Sequence, residues 1–186
     1  MEVRFPIVSG AYGGNQAWFD KELWAAGGCG VIAAANLYYY FKDELVVERT
    51  DYMELATALY YWLKPLHFFN PSYSHDTYGL ISPSLFRDRS LRFFRIRGLE
   101  LTCKVHRFIK GRALSLIKEG LDRGELPVIM VQGIPRTNAY VNHFMVVTGY
   151  EGESFYVSSW GRKLLVPFSE LSQGGNFFNL LLFRKI

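Results

Sequence analysis

The sequence predicts an α+β protein in which a helical layer packs on a mostly antiparallel sheet, and three observations predict it. A run from Val31 to Phe41, entered through Gly27-Gly28-Cys29-Gly30, has good helix formers and no polar face, so it reads as a helix buried on all sides. Helical spacing then dominates as far as Gly98. From Leu99 onward, strict alternation and unbroken apolar runs replace it, as strands require. Helices in the first half and strands in the second define the class. With 186 residues and no repeat, low-complexity tract or linker, the chain predicts one domain over 1–186, its helical layer mainly in 1–98 and its sheet layer mainly in 99–186.

Taken in order, residues 1–28 predict an irregular entry segment. Ser9-Gly10-Ala11-Tyr12-Gly13-Gly14-Asn15-Gln16 is loop chemistry, and Trp18, Phe19, Leu23 and Trp24 would pin the segment to the body. After the Cys29 helix, Asp51-x-x-Glu54 resembles a capping box, and Met53, Ala56, Tyr60 and Leu63 follow at helical spacing until Pro65 ends the element. Residues 66–81, rich in aromatic and turn residues, predict a long connection of the kind that carries binding loops. Ser82-Pro83 reads as an N-cap with proline at the first helical position, opening a helix toward Gly98. Next, Leu99, Leu101, Cys103 and Val105 alternate with Glu100, Thr102, Lys104 and His106, which predicts a half-buried strand with Cys103 in the core and His106 toward solvent. Ala113, Leu114, Ile117 and Leu121 make a helix stopped by Gly124. Residues 127–131 are apolar throughout, as in the middle of a sheet. Residues 140–150 and 155–158 predict two strands joined at Glu151-Gly152-Glu153, and residues 177–183 supply the last strand.

Composition excludes several classes of function. A hydrophobic fraction of 49% with 17% aromatic residues rules against a disordered chain. The formal charge of +4 is mild, and although Arg87, Arg89, Arg92, Arg95 and Arg97 could meet an acidic partner, they read first as a solvated helix face. The aromatic residues lack the interleaved basic pattern of a nucleic-acid platform, so no nucleic-acid partner is expected. No metal is expected either, because His67, His75 and His106 have only Asp76, beside His75, as a neighbouring ligand. The glycines at 13–14 and 174–175 do not form a phosphate-binding loop. Two cysteines in unlike settings are not read as a disulfide pair. Met1-Glu2-Val3-Arg4-Phe5-Pro6 lacks the pattern of a secretion signal, and no apolar run reaches the roughly 20 residues of a membrane span. The expectation is a soluble, cytoplasmic protein, with secretion left open if a leader has been trimmed.

The chemistry centres on two residues. Cys29 stands at a helix N-terminus, where unpaired N–H groups and the positive dipole end favour the thiolate. Its neighbours Gly27, Gly28 and Gly30 would let a substrate backbone come close. Taken singly, Cys29 also fits a buried structural cysteine, and His143, near the start of an apolar strand, a core or edge histidine. Together, a Cys at a helix start and a His on a later strand have the layout of Cys–His nucleophilic catalysis. The imidazole takes the thiol proton, the thiolate attacks a carbonyl carbon, and the imidazolium protonates the leaving amine.

Gln16, Gly28-Cys29-Gly30, Leu126-Pro127-Val128-Ile129, His143-Phe144-Met145-Val146-Val147-Thr148-Gly149-Tyr150 and Trp160-Gly161 follow one another in this order. On these motifs, which span most of the chain, the sequence resembles the papain-like fold and, within it, the bacteriocin-leader-processing (C39-like) peptidases. The resemblance implies Cys29 as nucleophile, His143 as general base, and an oxyanion site shared by the Gln16 side-chain amide and the Cys29 backbone N–H. For Gln16 a solvent-facing loop residue is the alternative. It further implies a cleft between the layers for a peptide or protein substrate, lined by Trp18, Tyr73, Tyr78 and Trp160, with Gly28 beside it, and no cofactor beyond a reduced thiol. Val31-Ile32 stands where the family has Pro-Thr, as in a divergent branch. At the third catalytic position related enzymes carry Asn or Asp, whereas this chain has Ser158 and Ser159. Anchoring on Trp160-Gly161 points to Ser158, and counting from His143 favours Ser159. A hydroxyl can take the ring N–H bond but carries no charge. Three readings therefore stand side by side: a peptidase or amide hydrolase, an acyltransferase or transglutaminase using the same acyl-thioester, and a catalytically impaired domain that binds a peptide or partner protein.

Overall fold

In the computed structural model, which describes residues 1–68, 77–80, 82–132, 139–173 and 177–186, the chain opens with short elements. β1 (Ile7–Val8) pairs antiparallel with β2 (Ala11–Tyr12), and a 3-10 turn over Gln16–Trp18, capped by Asn15, leads into α1 (Glu22–Gly27). The entry segment is thus more regular than its turn residues suggest, because two-residue strands are too short to show a period. Phe19 is buried and Trp18 and Trp24 are half-buried, but Leu23 is 49% exposed, on the face of α1 that meets water.

α1 passes through Gly28 into α2 (Cys29–Phe41), in which every residue is buried except the half-buried Tyr38 and Tyr40. Its all-round apolar sequence is what a central helix needs. β3 (Val46–Val47) then joins β1 in parallel. α3 (Arg49–Leu63) starts ahead of the expected capping box. Glu48 occupies the N-cap without a side-chain bond, and the Ser9 hydroxyl, brought in from the β1–β2 turn, accepts from the Arg49 N–H at 2.9 Å. Part of the connection from 66 to 81 is a hairpin of β4 (Leu66–Phe68) and β5 (Thr77–Leu80). α4 (Pro83–Ile96) begins as its sequence requires, Ser82 Oγ accepting from the Leu85 N–H at 3.2 Å. Its arginines are spent on the fold itself. Arg87 pairs with Asp88, Arg95 with Glu100, Arg89 donates to the Leu63 carbonyl, and Arg92 and Arg97 lie over the Trp62 and Phe93 rings.

The second half contains β6 (Leu101–Arg107), α5 (Ala113–Asp122), β7 (Leu126–Gln132), β8 (His143–Glu151), β9 (Ser154–Ser159), β10 (Arg162–Pro167), α6 (Phe168–Leu171) and β11 (Phe177–Lys185). The sheet order is β10-β9-β8-β7-β11-β6, and every neighbouring pair is antiparallel. β7 lies inside the sheet, as its apolar run demands. Val128 and Met130 face the core shared with α2, α3 and α4, while Ile129 and Val131 face a second core under α5 and α6. Two later helices therefore cover the face opposite the first-half layer. β6 is an edge strand, so Cys103 and His106 are both half-buried rather than one in the core and one in water. β8 starts at His143, after a left-handed Asn142 with φ 58°, instead of at Tyr140. No helix among the described residues is long and apolar enough to cross a membrane.

Candidate active site

The architecture brings the start of α2 against β8 and the end of β9. Cys29, His143, Ser158, Ser159, Gln16 and Trp160 line one small cavity there, together with Asn36 from two turns further along α2. Cys29 is the first residue of α2 and 9% exposed. The helix opens at Gly28 with no side-chain cap, and the positive end of its dipole lies at Cys29. Gly28 also serves the packing of the two helices. A Cβ on it would lie 2.6 Å from the Trp24 carbonyl oxygen and 2.9 Å from the Phe19 ring, so the close approach it permits is of α1 to α2.

His143 is 7% exposed, and a 2.6 Å hydrogen bond joins its Nε2 to Ser159 Oγ. Its ring stacks on Trp160 with centroids 4.6 Å apart and planes 15° from parallel. Trp160 reaches this position because Trp160-Gly161 is the two-residue turn between β9 and β10, both residues at positive φ (51° and 70°), as a type I′ hairpin turn requires. Ser158 lines the same cavity, but its hydroxyl is bonded to other groups. Its hydroxyl donates to the Tyr12 carbonyl at 3.1 Å and accepts from Asn36 Nδ2 at 3.4 Å. Successive strand residues point to opposite sides, so only one of the two serines can meet the imidazole.

Gln16 lines the cavity, with Nε2 donating to the carbonyl of Ala25 at 2.7 Å and, at the longer 3.4 Å, to that of Ala26. It is not a solvent-facing loop residue but a tie to the end of α1. Trp18 is not brought to the cavity. Its edge meets the Tyr52 ring at 6.1 Å, and Arg49 lies over it at 4.8 Å. Tyr73, His75, Asp76 and the side chains of His67 and Tyr78 lie outside the described residues. Among the described residues no group of three His, Cys, Asp or Glu is placed to hold a metal ion.

One residue of the site, Asn36, and the Tyr52 behind it are not singled out by their sequence context. Asn36 is a lone amide in an apolar helix, and its distance of seven residues from Cys29 puts the two on one face. That spacing was its available signal. Tyr52, fully buried, donates to Asn36 Oδ1 at 2.7 Å, and burial holds its phenol well above the ordinary range. Cys103, the second thiol, belongs to β6 and not to the site, and its thiol is also pushed up by burial, against a smaller opposing effect of Arg87.

No protein-family model and no curated protein matches this chain. Solved structures do. A double-glycine-motif protease from an AMS/PCAT transporter, crystallised with the leader peptide, is 15% identical with a TM-score of 0.54, over 100% of this chain and 94% of that one. A protein of Bacillus anthracis described as a C39-like peptidase is 15% identical with a TM-score of 0.56, over 99% of each chain. The helix that opens on Cys29, the strand that opens on His143 and the antiparallel order of the sheet thus compose the papain-like fold of the C39-like peptidases.

Proposed function

We propose that this protein is a cysteine peptidase or related amide hydrolase, acting on a peptide or protein segment through Cys29, His143 and Ser159. The observation that carries the reading is the 2.6 Å bond between His143 Nε2 and Ser159 Oγ beside a helix-start cysteine that lines the same cavity. With Nε2 bound to Ser159, Nδ1 is the nitrogen that exchanges a proton with the thiol. The thiolate, favoured by the α2 N-terminus, attacks the substrate carbonyl carbon. The oxyanion that forms would be met by the Cys29 backbone N–H and by the Gln16 N–H that its 3.4 Å contact to Ala26 holds only weakly. The imidazolium passes its proton to the departing amine, leaving an acyl-thioester. Water then gives a proton to His143 and attacks the thioester carbonyl, which releases the acid and returns the thiol. Trp160, stacked on the imidazole, restricts its rotation and keeps water from that face. The leader peptide bound by the double-glycine-motif protease supports a peptide as the substrate class.

Ser159 sets the limit on this chemistry. A carboxylate or amide oxygen can only accept from Nε2, which leaves Nδ1 as base, whereas a hydroxyl can donate or accept and does not choose the tautomer. Nor does it stabilise the imidazolium by charge. Turnover below that of a carboxylate-bearing relative follows.

The test is the pH dependence of iodoacetamide alkylation at Cys29, followed by peptide mass spectrometry in the native protein and in His143→Ala. Cys103, raised by burial, is the internal slow-reacting control. Rapid labelling of Cys29 below pH 7 that disappears in His143→Ala is the expected result. Labelling that rises only near the free-thiol value of about 8.5, and equally in both proteins, would sink the hydrolase and leave a peptide-binding domain.

A further inference from the structure

Asn36 is 2% exposed, and its carboxamide bonds to three different segments. Oδ1 accepts from the Gly14 N–H at 3.0 Å and from the Tyr52 hydroxyl at 2.7 Å, and Nδ2 donates to Ser158 Oγ at 3.4 Å. Ser158 completes the chain by donating to the Tyr12 carbonyl at 3.1 Å. These contacts lie one or two residues away from the groups of the candidate site. Gly14 comes two residues before Gln16, Ser158 immediately precedes Ser159, and Cys29 starts the helix on which Asn36 stands. One side chain therefore ties together the loop of Gln16, the helix of Cys29 and the strand of Ser159.

The packing around that side chain leaves little room for adjustment. A Cβ on Gly13 would lie 2.5 Å from Ser158 Oγ and 2.9 Å from the Asn36 amide, and one on Gly14 would lie 2.3 Å from the Tyr52 side chain. Gly13 also has φ +70°, so glycine is required there twice over. Chemistry selects the amide as sharply. The Gly14 N–H and the Tyr52 hydroxyl, the latter also 3.1 Å from the Ile32 carbonyl, meet an acceptor while Ser158 is served by a donor, and aspartate offers only acceptors, leucine neither. Removing the amide would take its acceptor from the buried Gly14 N–H and leave the Tyr52 hydroxyl to the Ile32 carbonyl at 3.1 Å.

We propose that Asn36 is a positioning residue for the Cys29–His143–Ser159 site. It holds β9 and the Gly13-Gly14 loop in fixed relation to α2, so that Ser159 reaches His143 and Gln16 reaches the start of the helix. The proposal rests on the peptidase reading for its catalytic meaning, while its geometric content stands apart from it.

The test compares Asn36→Asp and Asn36→Leu with Leu121→Val, a destabilising control in the second core under α5. Two quantities are read in the full chain: the titration midpoint of His143 by NMR, and the pH profile of Cys29 alkylation. Both Asn36 variants should move the His143 midpoint and raise the Cys29 profile by about one pH unit, a fall of about ten-fold in labelling on the acid limb of the profile, well below its midpoint. Leu121→Val should melt earlier with both profiles unmoved. Native profiles in a folded Asn36 variant, or equal shifts in Leu121→Val, would overturn the proposal. If neither Asn36 variant folds, Ser158→Ala, which cuts the bonds from β9 to Asn36 and to the Tyr12 carbonyl, must move the His143 midpoint, and an unmoved midpoint overturns the proposal as well. Should native Cys29 label as an ordinary thiol while the Asn36 variants still move His143, the peptidase reading fails and the positioning role stands.

Discussion

A hydroxyl at residue 159 is the feature on which the chemistry of the site turns. Ser159 brings no charge to its 2.6 Å bond with His143, and a bond through a neutral hydroxyl contributes about 1 kcal/mol net. Ser159→Ala should therefore slow Cys29 alkylation near pH 6.5 by about five-fold while the protein stays folded, because Ser159 is a small residue at a strand end. An unchanged rate would mean that the hydroxyl does not orient the imidazole. At this scale the sequence was legible for residue types with chemistry of their own, Cys29 and His143, and ambiguous between the two serines. The cause is a bulge between Val147 and Gly149 in the β8–β9 pairing. Counting back from the Glu151↔Ser154 pair with no extra residue would set Ser159 opposite Val146, whereas the bulge sets Ser158 there. One inserted residue exchanges which serine faces Asn36 and which meets His143.

Elements were legible where local chemistry decides them. The α2 helix follows from its apolar composition, and the start of α4 from Ser82-Pro83, because both signals act within one or two turns. The start of α3 is not legible locally, because its cap comes from Ser9, forty residues away in sequence. β10 went unread since its polar Arg162 and Lys163 suit a sheet edge, where one side needs no apolar cover. The loop before Gln16 carries a prediction of its own. Gly14→Ala would drive a methyl group into the Tyr52 side chain and should destabilise the protein by about 1–3 kcal/mol, read from the shift in its urea midpoint. A midpoint unchanged from native would show that the loop can withdraw from Tyr52, and that the Gln16 segment is held more loosely than its contacts indicate.

For the whole molecule the aromatic content sets a limit at high pH. Burial pushes Tyr12, Tyr39 and Tyr60 each up to about 12, and holds the fully buried Tyr52 well above the ordinary value. In the unfolded chain these phenols ionise near 10. Between about 10 and 12 the folded state thus binds more protons than the unfolded one, so stability is intact below pH 10 and falls as pH rises through that window. Urea midpoints measured from pH 8 to 11.5 should be flat and then drop, with the phenolate absorbance at 295 nm rising as unfolding proceeds. A midpoint that stays level to pH 11.5 would mean that the buried rings are reached by solvent without unfolding.

What the sequence determined by itself is whatever lies within a few residues of its cause: the buried helix opening on Cys29, the apolar strand inside the sheet, the order of helices before strands, and a thiol and an imidazole of complementary chemistry. The tertiary structure alone decided that Ser159 rather than Ser158 binds His143, that Gln16 is tied to the end of α1, that Gly28 makes room for Phe19 and Trp24, and that Asn36 joins three segments. The physical reason is common to all four. Each depends on which side of an element a residue faces and on what another element brings against it, and both are set by register and packing summed over distant parts of the chain.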